Sequence, residues 1–299
     1  MGEHDAELIL IAGVLLSAGI VGALLADRVR VPGLLLFLVL GMVAGSEGVG
    51  GIGFDDAELA RTLGTIALVL ILFEGGLTAG WSEIRPVLGT AASLATIGTL
   101  VTAVIAGFAA KFLFDLTTLE GMLVGSAVAA TDSAAIFAVL RRSTLEKRLA
   151  RSLEGESGMN DPVALLLVIG FIEWIQQPSY GPADMIGLIA VKIAVGIVVG
   201  LLLGKAAVWV MSRIELASEG LYPVATIAVA ALAYGVSEVA HGSGLLAVYL
   251  AALALGSARI PARRSVVSFH EGLGWVSQIG LFILLGLLVF PQDIADVAV

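Results

Sequence analysis

The chain has 299 residues, of which 59% are hydrophobic and 14% charged, with a mean hydropathy of +1.03 and a formal net charge of −9. This composition excludes a soluble globular domain and indicates a polytopic, all-α membrane protein. The chain lacks a basic cluster with interleaved aromatic residues, which argues against a nucleic-acid partner, and it contains no cysteine, which excludes disulfides and thiol chemistry.

Apolar runs of membrane-spanning length follow one another along the chain, separated by Gly, Pro and charged residues. The ten predicted spans are 8–26, 31–45, 62–80, 86–110, 121–140, 152–174, 186–211, 221–240, 243–257 and 273–290. The runs 31–45 and 243–257 are short, since about 15 residues make only about 22 Å of helix. A hydrocarbon core is about 30 Å thick, so we expect these two segments to be shielded by neighbouring helices or only partly exposed to lipid.

Basic residues are concentrated in alternate connections between the spans. Twelve fall in one set of connections: Arg28, Arg30, Arg85, Arg141, Arg142, Lys147, Arg148, Arg151, Arg213, Arg259, Arg263 and Arg264. The other set holds only Arg61 and Lys111. Because cytoplasmic loops carry the excess of Lys and Arg, this asymmetry predicts that the N-terminus is outside. Lys192 lies inside the seventh span and is expected to extend to the outer surface.

The two short runs match each other at an offset of 211 residues. Gly33-Leu34-Leu35 corresponds to Gly244-Leu245-Leu246, and Gly45-Ser46 corresponds to Gly256-Ser257. Since the two runs cross in opposite directions, the match predicts an inverted repeat, as in several secondary transporters built around broken helices. We therefore expect a first six-helix repeat over 1–174, a linker helix over 175–211, and the first three helices of a truncated second repeat over 212–299.

Two carboxylates lie well inside consecutive apolar runs. Asp132 comes about 11 residues into the fifth span and Asp161 about 9 residues into the sixth, which places both near mid-depth at 1.5 Å per residue. Carboxylates at this depth cost about 2.5–3.5 kcal/mol each on insertion scales and usually mark ion or proton paths. The small, polar stretch from Ala129 to Ser133 can unwind and offer backbone carbonyls and the Thr131 hydroxyl.

These residues predict a site for a monovalent cation. Hard cations prefer oxygen ligands, which Asp161, Glu156, Ser157 and Thr131 can supply. Supporting roles are expected for Asp132, Asn160, Glu74 and Ser133, and the glycines after Glu74 permit close helix approach. Glu156 and Asp161 share a helix face only loosely, so an irregular helix start near Gly158 is expected. A proton and a cation would compete for the same carboxylates.

Other interpretations are a structural role for the buried carboxylates, a passive cation channel and a membrane enzyme. A channel would favour a filter-like loop of carbonyls, which the sequence does not show, whereas protonatable groups at mid-depth favour antiport. The segment His241-Gly242-Ser243-Gly244 lacks the context of a serine nucleophile. His270 is expected at the surface, and a contribution to pH sensing is the alternative interpretation.

Several motifs resemble the monovalent cation:proton antiporters of the CPA-one type. These are Thr131-Asp132-Ser133 and Glu156-Ser157-Gly158-Met159-Asn160-Asp161. Pro162, together with Phe269-His270-Glu271-Gly272-Leu273 and Gln278-Ile279-Gly280-Leu281-Phe282, is similar to the bacterial potassium/proton antiporter branch. The resemblance covers essentially the whole chain.

The resemblance implies a thirteen-span antiporter fold, usually a homodimer in the inner (plasma) membrane, that exchanges a monovalent cation for protons without a cofactor. It favours potassium as the cation, with sodium as the alternative. In that family Asp161 would carry the ion and the proton, with Glu156, Ser157 and Thr131 completing the shell. Asp132 would neutralise facing helix ends, and Glu74 would pair with Asn160 and with an arginine on a later helix. This sequence departs from the pattern by lacking the last three spans.

Overall fold

The computed structural model describes residues 2–29, 31–131, 146–177 and 179–289, and this part of the chain is almost entirely helical. Its helices are α1 (Gly2–Val29), α2 (Gly33–Ala44), α3 (Ala57–Ala79), α4 (Trp81–Phe114), α5 (Thr118–Val128), α6 (Lys147–Gln176), α7 (Pro182–Met211), α8 (Leu221–Val239), α9 (Gly244–Ser257) and α10 (Arg263–Leu287). The helix α4 is a continuous run that includes one 3-10 turn and one π turn.

Each predicted span overlaps one of these helices. Six helices are long and apolar enough to cross a membrane, judged by length and composition within the described residues: α1, α3, α4, α6, α7 and α8. The two short runs form the short helices α2 and α9. Every residue of α9 except Ala254 and Ser257 is buried, which confirms that neighbours shield this segment. The tenth predicted span overlaps α10 over residues 273–287.

Polar side chains stabilise several helix starts. Asp56 accepts a hydrogen bond from the Leu59 backbone N–H (2.9 Å) at the beginning of α3. Thr117 and Glu120 form a reciprocal capping box at the start of α5. Hydrogen bonds from Thr117 to the Glu120 carboxylate stabilise its charged form and lower the pKa of this exposed group. At the start of α9, Ser243 accepts from the Leu246 N–H, which gives the Ser243 hydroxyl a capping role.

The described residues of 1–71 and 271–289 pack as one unit. Its core consists of large apolar side chains from α2 and α10: Leu34, Phe37, Ile279, Ile283 and Leu287. The two backbones meet at glycines, because a Cβ added at Gly41 would lie 2.2 Å from the Ile283 carbonyl oxygen. A Cβ at Gly286 would lie equally close to the carbonyl oxygen of Leu38. Side chains are thus excluded from both points of contact.

The described residues of 72–131 and 146–270 form the second unit. Glycines spaced four apart on α7 line its contact with α9. A Cβ would lie 2.8 Å from the Ser243 carbonyl oxygen at Gly196, 2.6 Å from the Ala247 carbonyl oxygen at Gly200, and 2.9 Å from the Ala251 Cα at Gly204. This small-residue stripe lets the two helices pack backbone to backbone. The division into two units follows packing, so the predicted division into repeats stays a prediction.

One polar residue differs from what the sequence suggested. His270 is not at the surface: only 1% of it is exposed, it packs against Phe73, and its Nε2 lies 2.8 Å from Thr226 Oγ1. The apolar neighbours on α3 and the hydroxyl on α8 that bury it are far away in sequence, so local polarity was misleading. Lys192 Nζ lies 3.7 Å from the Glu238 carboxylate and donates to the Gly242 carbonyl oxygen, and its extension to the outer surface stays a prediction.

Candidate cation and proton site

Helix α5 ends early and leaves an irregular segment at Thr131. The helix stops at Val128, and residues 129–131 are not helical. This confirms the expected break for these three residues, while Asp132 and Ser133 lie outside the described part of the chain. Carbonyl groups in the last turn of a helix lack intrahelical partners and carry partial negative charge. The end of α5 is therefore a favourable place for a cation.

Helix α6 presents three polar side chains to Thr131. The Thr131 hydroxyl donates to the Glu156 carboxylate (3.0 Å), and the Ser157 hydroxyl donates to the Thr131 backbone carbonyl (2.9 Å). The Asn160 amide nitrogen donates to both the Thr131 hydroxyl and Glu156 Oε1, the latter at 2.9 Å. These four residues form one connected hydrogen-bonded set, in which Ser157 and Asn160 are buried and Thr131 and Glu156 are half-buried.

The connected set concentrates oxygen atoms in a small volume. Thr131 contributes a hydroxyl and a carbonyl, Ser157 a hydroxyl and Glu156 a carboxylate, which are ligand types that hard cations prefer. Asn160 is completely buried, and its Oδ1 has no hydrogen-bond partner among the described residues. Because both hydrogens of its amide group are engaged, Asn160 holds Thr131 and Glu156 in a fixed relation. It acts in this arrangement as an organiser of the two ligand-bearing segments.

Asp161 follows Asn160 on α6 and is half-buried. The expectation of an irregular helix start near Gly158 is wrong, because α6 runs without interruption from Lys147 to Gln176. Pro162 lies inside this helix and has no backbone N–H. The Gly158 carbonyl therefore lacks the donor that position 162 would normally supply. The polar backbone group near Asp161, the Gly158 carbonyl, is thus a consequence of Pro162 within the helix. This proline could be recognised in the sequence.

Glu74 lies on α3 and is half-buried, and its carboxylate accepts a hydrogen bond from the Thr78 hydroxyl (3.1 Å). The pairing of Glu74 with Asn160 that the family resemblance implies stays a prediction. Gly76, two residues further on, meets α9 closely, since an added Cβ would lie 2.8 Å from Ala252 Cβ. The expected close approach of helices beside Glu74 is therefore confirmed at Gly76.

An ion-pair network near the start of α6 was not anticipated. Arg151 donates to Glu154 (2.5 Å) on its own helix and to Glu83 (3.3 Å) at the start of α4. From the sequence, the basic run from Arg141 to Arg151 is interpreted as a topology signal and a contact for membrane lipid. The spacing of Arg151 and Glu154 by three positions was a local sign of pairing, but the contact with Glu83 depends on the fold. This network ties α4 to the helix that carries the candidate site.

Comparison with known proteins identifies relatives whose similarity extends over nearly the whole chain. The family model "Sodium/hydrogen exchanger, transmembrane" matches residues 14–298. A K(+)/H(+) antiporter NhaP from Alkalimonas amylolytica is 38% identical over 290 residues, which are 96% of this chain and 50% of that protein. The Na(+)/H(+) antiporter 1 of Methanocaldococcus jannaschii is 30% identical over an alignment that covers 94% of this chain and 68% of that protein.

The fold also matches a solved structure. The sodium proton antiporter MjNhaP1 from Methanocaldococcus jannaschii at pH 8 superposes with a TM-score of 0.80 and 27% sequence identity, covering 97% of this chain and 75% of that chain. The described chain therefore has the helical architecture of that antiporter. It spans about half the length of the K(+)/H(+) antiporters that it matches.

Proposed function

The chain belongs to the sodium/hydrogen exchanger transmembrane family, and from this membership we propose that it exchanges a monovalent cation for protons across a membrane. The observation that best supports the proposal is the hydrogen-bonded set of Thr131, Glu156, Ser157 and Asn160 next to Asp161. It combines hard oxygen ligands with protonatable carboxylates inside the helical unit. Cation binding and protonation then use the same groups.

The exchange follows from competition at these carboxylates. A cation held by Asp161, Glu156, Ser157 and Thr131 disfavours protonation, and a proton on the carboxylate removes the negative charge that attracts the cation. Loading the site with a cation on one side of the membrane therefore releases a proton there. Asp161 is proposed as the carrier, with Asn160 holding Thr131 and Glu156 in place. Asp132, Ser133 and Glu74 are proposed as supporting residues.

Potassium is the cation that we propose, with sodium as the alternative. The more similar of the two relatives described above is named for potassium, and the archaeal relative is named for sodium. The ligand types do not decide between the two ions, because selectivity depends on cavity size and flexibility. We further propose that the protein works as a homodimer in the inner membrane with its N-terminus outside.

Purified full-length protein in lipid vesicles with an acidic lumen tests the function. Addition of external potassium or sodium salt is expected to drive protons out of the lumen, which a pH-sensitive dye reports. Asp161→Asn keeps the side-chain shape but cannot carry a proton, so it is expected to abolish cation-dependent proton movement. Glu173→Gln is the matched control, because it removes a half-buried carboxylate from the last turn of the same helix, where Glu173 accepts from Gln177.

The same vesicles distinguish antiport from a passive channel. Cation flux through a channel follows the membrane voltage, and it moves protons only when a separate proton leak carries them. Clamping the voltage with an added ionophore should leave antiport intact. Near-normal exchange by Asp161→Asn would remove Asp161 from the carrier role. Cation flux in the wild type without any proton movement would instead contradict the proposed function.

A further inference from the structure

Tyr249 lies in the middle of α9 with its aromatic ring against α6 at Gly158. Only 2% of Tyr249 is exposed. A Cβ added to Gly158 would lie 2.4 Å from Cε2 and 2.6 Å from Cζ of the ring. These distances are shorter than any van der Waals contact, so the ring occupies the space that a side chain at position 158 would need. The helix backbone at Gly158 and the Tyr249 ring are therefore complementary in shape and in direct contact.

The ring contacts the turn of α6 that carries the candidate site. At about 100° per residue, Glu156 and Asn160 lie roughly opposite Gly158 on the helix. Thr131 therefore holds α6 on one side, through Glu156 and Asn160, and Tyr249 contacts it on the other. Asp161, three residues after Gly158, projects from the helix between these two sides. The position of its carboxylate relative to Thr131 depends on both contacts.

Tyr249 itself is held firmly. Its neighbours Leu246, Leu250 and Leu253 belong to the same buried cluster. On the backbone side, a Cβ added to Gly76 would lie 2.8 Å from the Tyr249 carbonyl oxygen. The residue therefore contacts the helix of Glu74 with its backbone and the helix of Asp161 with its ring. Because protein interiors are closely packed, a change in the volume of one side chain shifts the neighbouring backbone.

We propose that Tyr249 is a positioning residue for cation binding, whose ring sets the distance between the Asp161 turn and Thr131. The proposal rests on the proposed cation exchange. The Tyr249 hydroxyl has no hydrogen-bond partner among the described residues, so the ring alone carries the contact with Gly158. Tyr249→Phe keeps that contact, Tyr249→Leu removes most of it, and Gly158→Ala forces the ring and the helix apart.

The test measures proton-coupled cation exchange by full-length protein in vesicles, with the apparent KM for potassium and the maximal rate determined separately. Tyr249→Phe is expected to stay within about twofold of the wild-type KM. Tyr249→Leu and Gly158→Ala are expected to raise KM by about tenfold or more, because small displacements of a ligand group have effects of this size. Combining the last two variants should give a KM no higher than that of Gly158→Ala alone, since Leu leaves room for the added methyl group.

A second measurement separates positioning from folding. The rise in Tm that potassium produces in purified protein should be preserved in Tyr249→Phe and largely lost in Tyr249→Leu. A folded Tyr249→Leu protein with wild-type KM and wild-type potassium shift overturns the proposal. The proposal is also overturned if the potassium-induced rise in Tm is lost as fully in Tyr249→Phe as in Tyr249→Leu, because the hydroxyl would then be responsible. Wild-type protein that binds potassium in the Tm assay but exchanges nothing would contradict the proposed function. The potassium-induced Tm shifts of the variants would then decide the positioning role of Tyr249.

Discussion

Thr131 Oγ1 donates a 3.0 Å hydrogen bond to Glu156 Oε1 and so joins the irregular end of α5 to the middle of α6. The same hydroxyl accepts a hydrogen bond from the buried amide of Asn160. Because a threonine hydroxyl has one donor and can accept as well, Thr131 uses both capacities here. One small side chain thereby links the two segments that carry the candidate ligands.

Replacing Thr131 by Val is expected to break this link while keeping the side-chain shape. The amide of Asn160 and the carboxylate of Glu156 each lose a partner, and an unsatisfied buried polar group costs about 1–3 kcal/mol. We expect at least a tenfold higher apparent KM for the cation, measured by exchange in vesicles. Thr131→Ser retains the hydroxyl and should stay close to the wild type. Equal KM values for the Val and Ser variants would show that the hydroxyl is not used.

Apparent cation affinity is expected to fall as the pH falls. Protons occupy the carboxylates at low pH and must leave before the cation binds, so the cation concentration for half-maximal exchange should rise with acidity. Exchange rates at several potassium concentrations, measured between about pH 5.5 and 8.5, test this dependence. An affinity that stays flat over this range would exclude a single shared site.

The sequence predicted the positions of the helices better than it predicted which helices and side chains pack together. Apolar run length located each helix, and the small polar residues from Ala129 onward predicted the end of α5 before Thr131. Both signals are local, since they depend on hydrophobic length and on residues that favour irregular backbone. The irregular helix start predicted near Gly158 is wrong, because this glycine lies inside a continuous helix. Its absent side chain serves instead to admit the Tyr249 ring, from a helix about ninety residues away in sequence.

The burial of His270 could likewise not be predicted from its neighbours in the sequence. Histidine beside Glu271 in a segment that follows two arginines looks exposed, yet Phe73 of α3 and Thr226 of α8 enclose it. Asn160 illustrates the opposite case. Its role beside the carboxylates was predicted from its position in the motif, but its two hydrogen bonds to Thr131 and Glu156 depend on how α5 and α6 pack. The candidate residues could be predicted from the sequence, whereas their hydrogen-bond partners depend on tertiary packing.

Gly200→Ala is expected to destabilise the contact between α7 and α9. The added methyl group would lie 2.6 Å from the Ala247 carbonyl oxygen, which is part of a helix backbone and cannot turn away. Overpacking of this kind typically costs about 1–3 kcal/mol. Gly187→Ala on the same helix is the matched control, because nothing lies within 4 Å of its added Cβ. Thermal unfolding in detergent, followed by tryptophan fluorescence, should show a lower Tm only for Gly200→Ala.

Glu238 is expected to stabilise the start of α9 mainly as a cap and less as the partner of Lys192. Its Oε1 accepts from the Gly244 N–H (2.9 Å), whereas its Oε2 lies 3.7 Å from Lys192 Nζ in a partly exposed pair. Loss of a cap costs about 0.5–2 kcal/mol, and exposed ion pairs contribute about 0–1 kcal/mol. Glu238→Ala should therefore lower Tm clearly, while Glu238→Gln, whose amide oxygen can still accept, and Lys192→Met should each lower it only slightly. Equal losses in Glu238→Gln and Glu238→Ala would show that the charge, and with it the ion pair, provides the stabilisation.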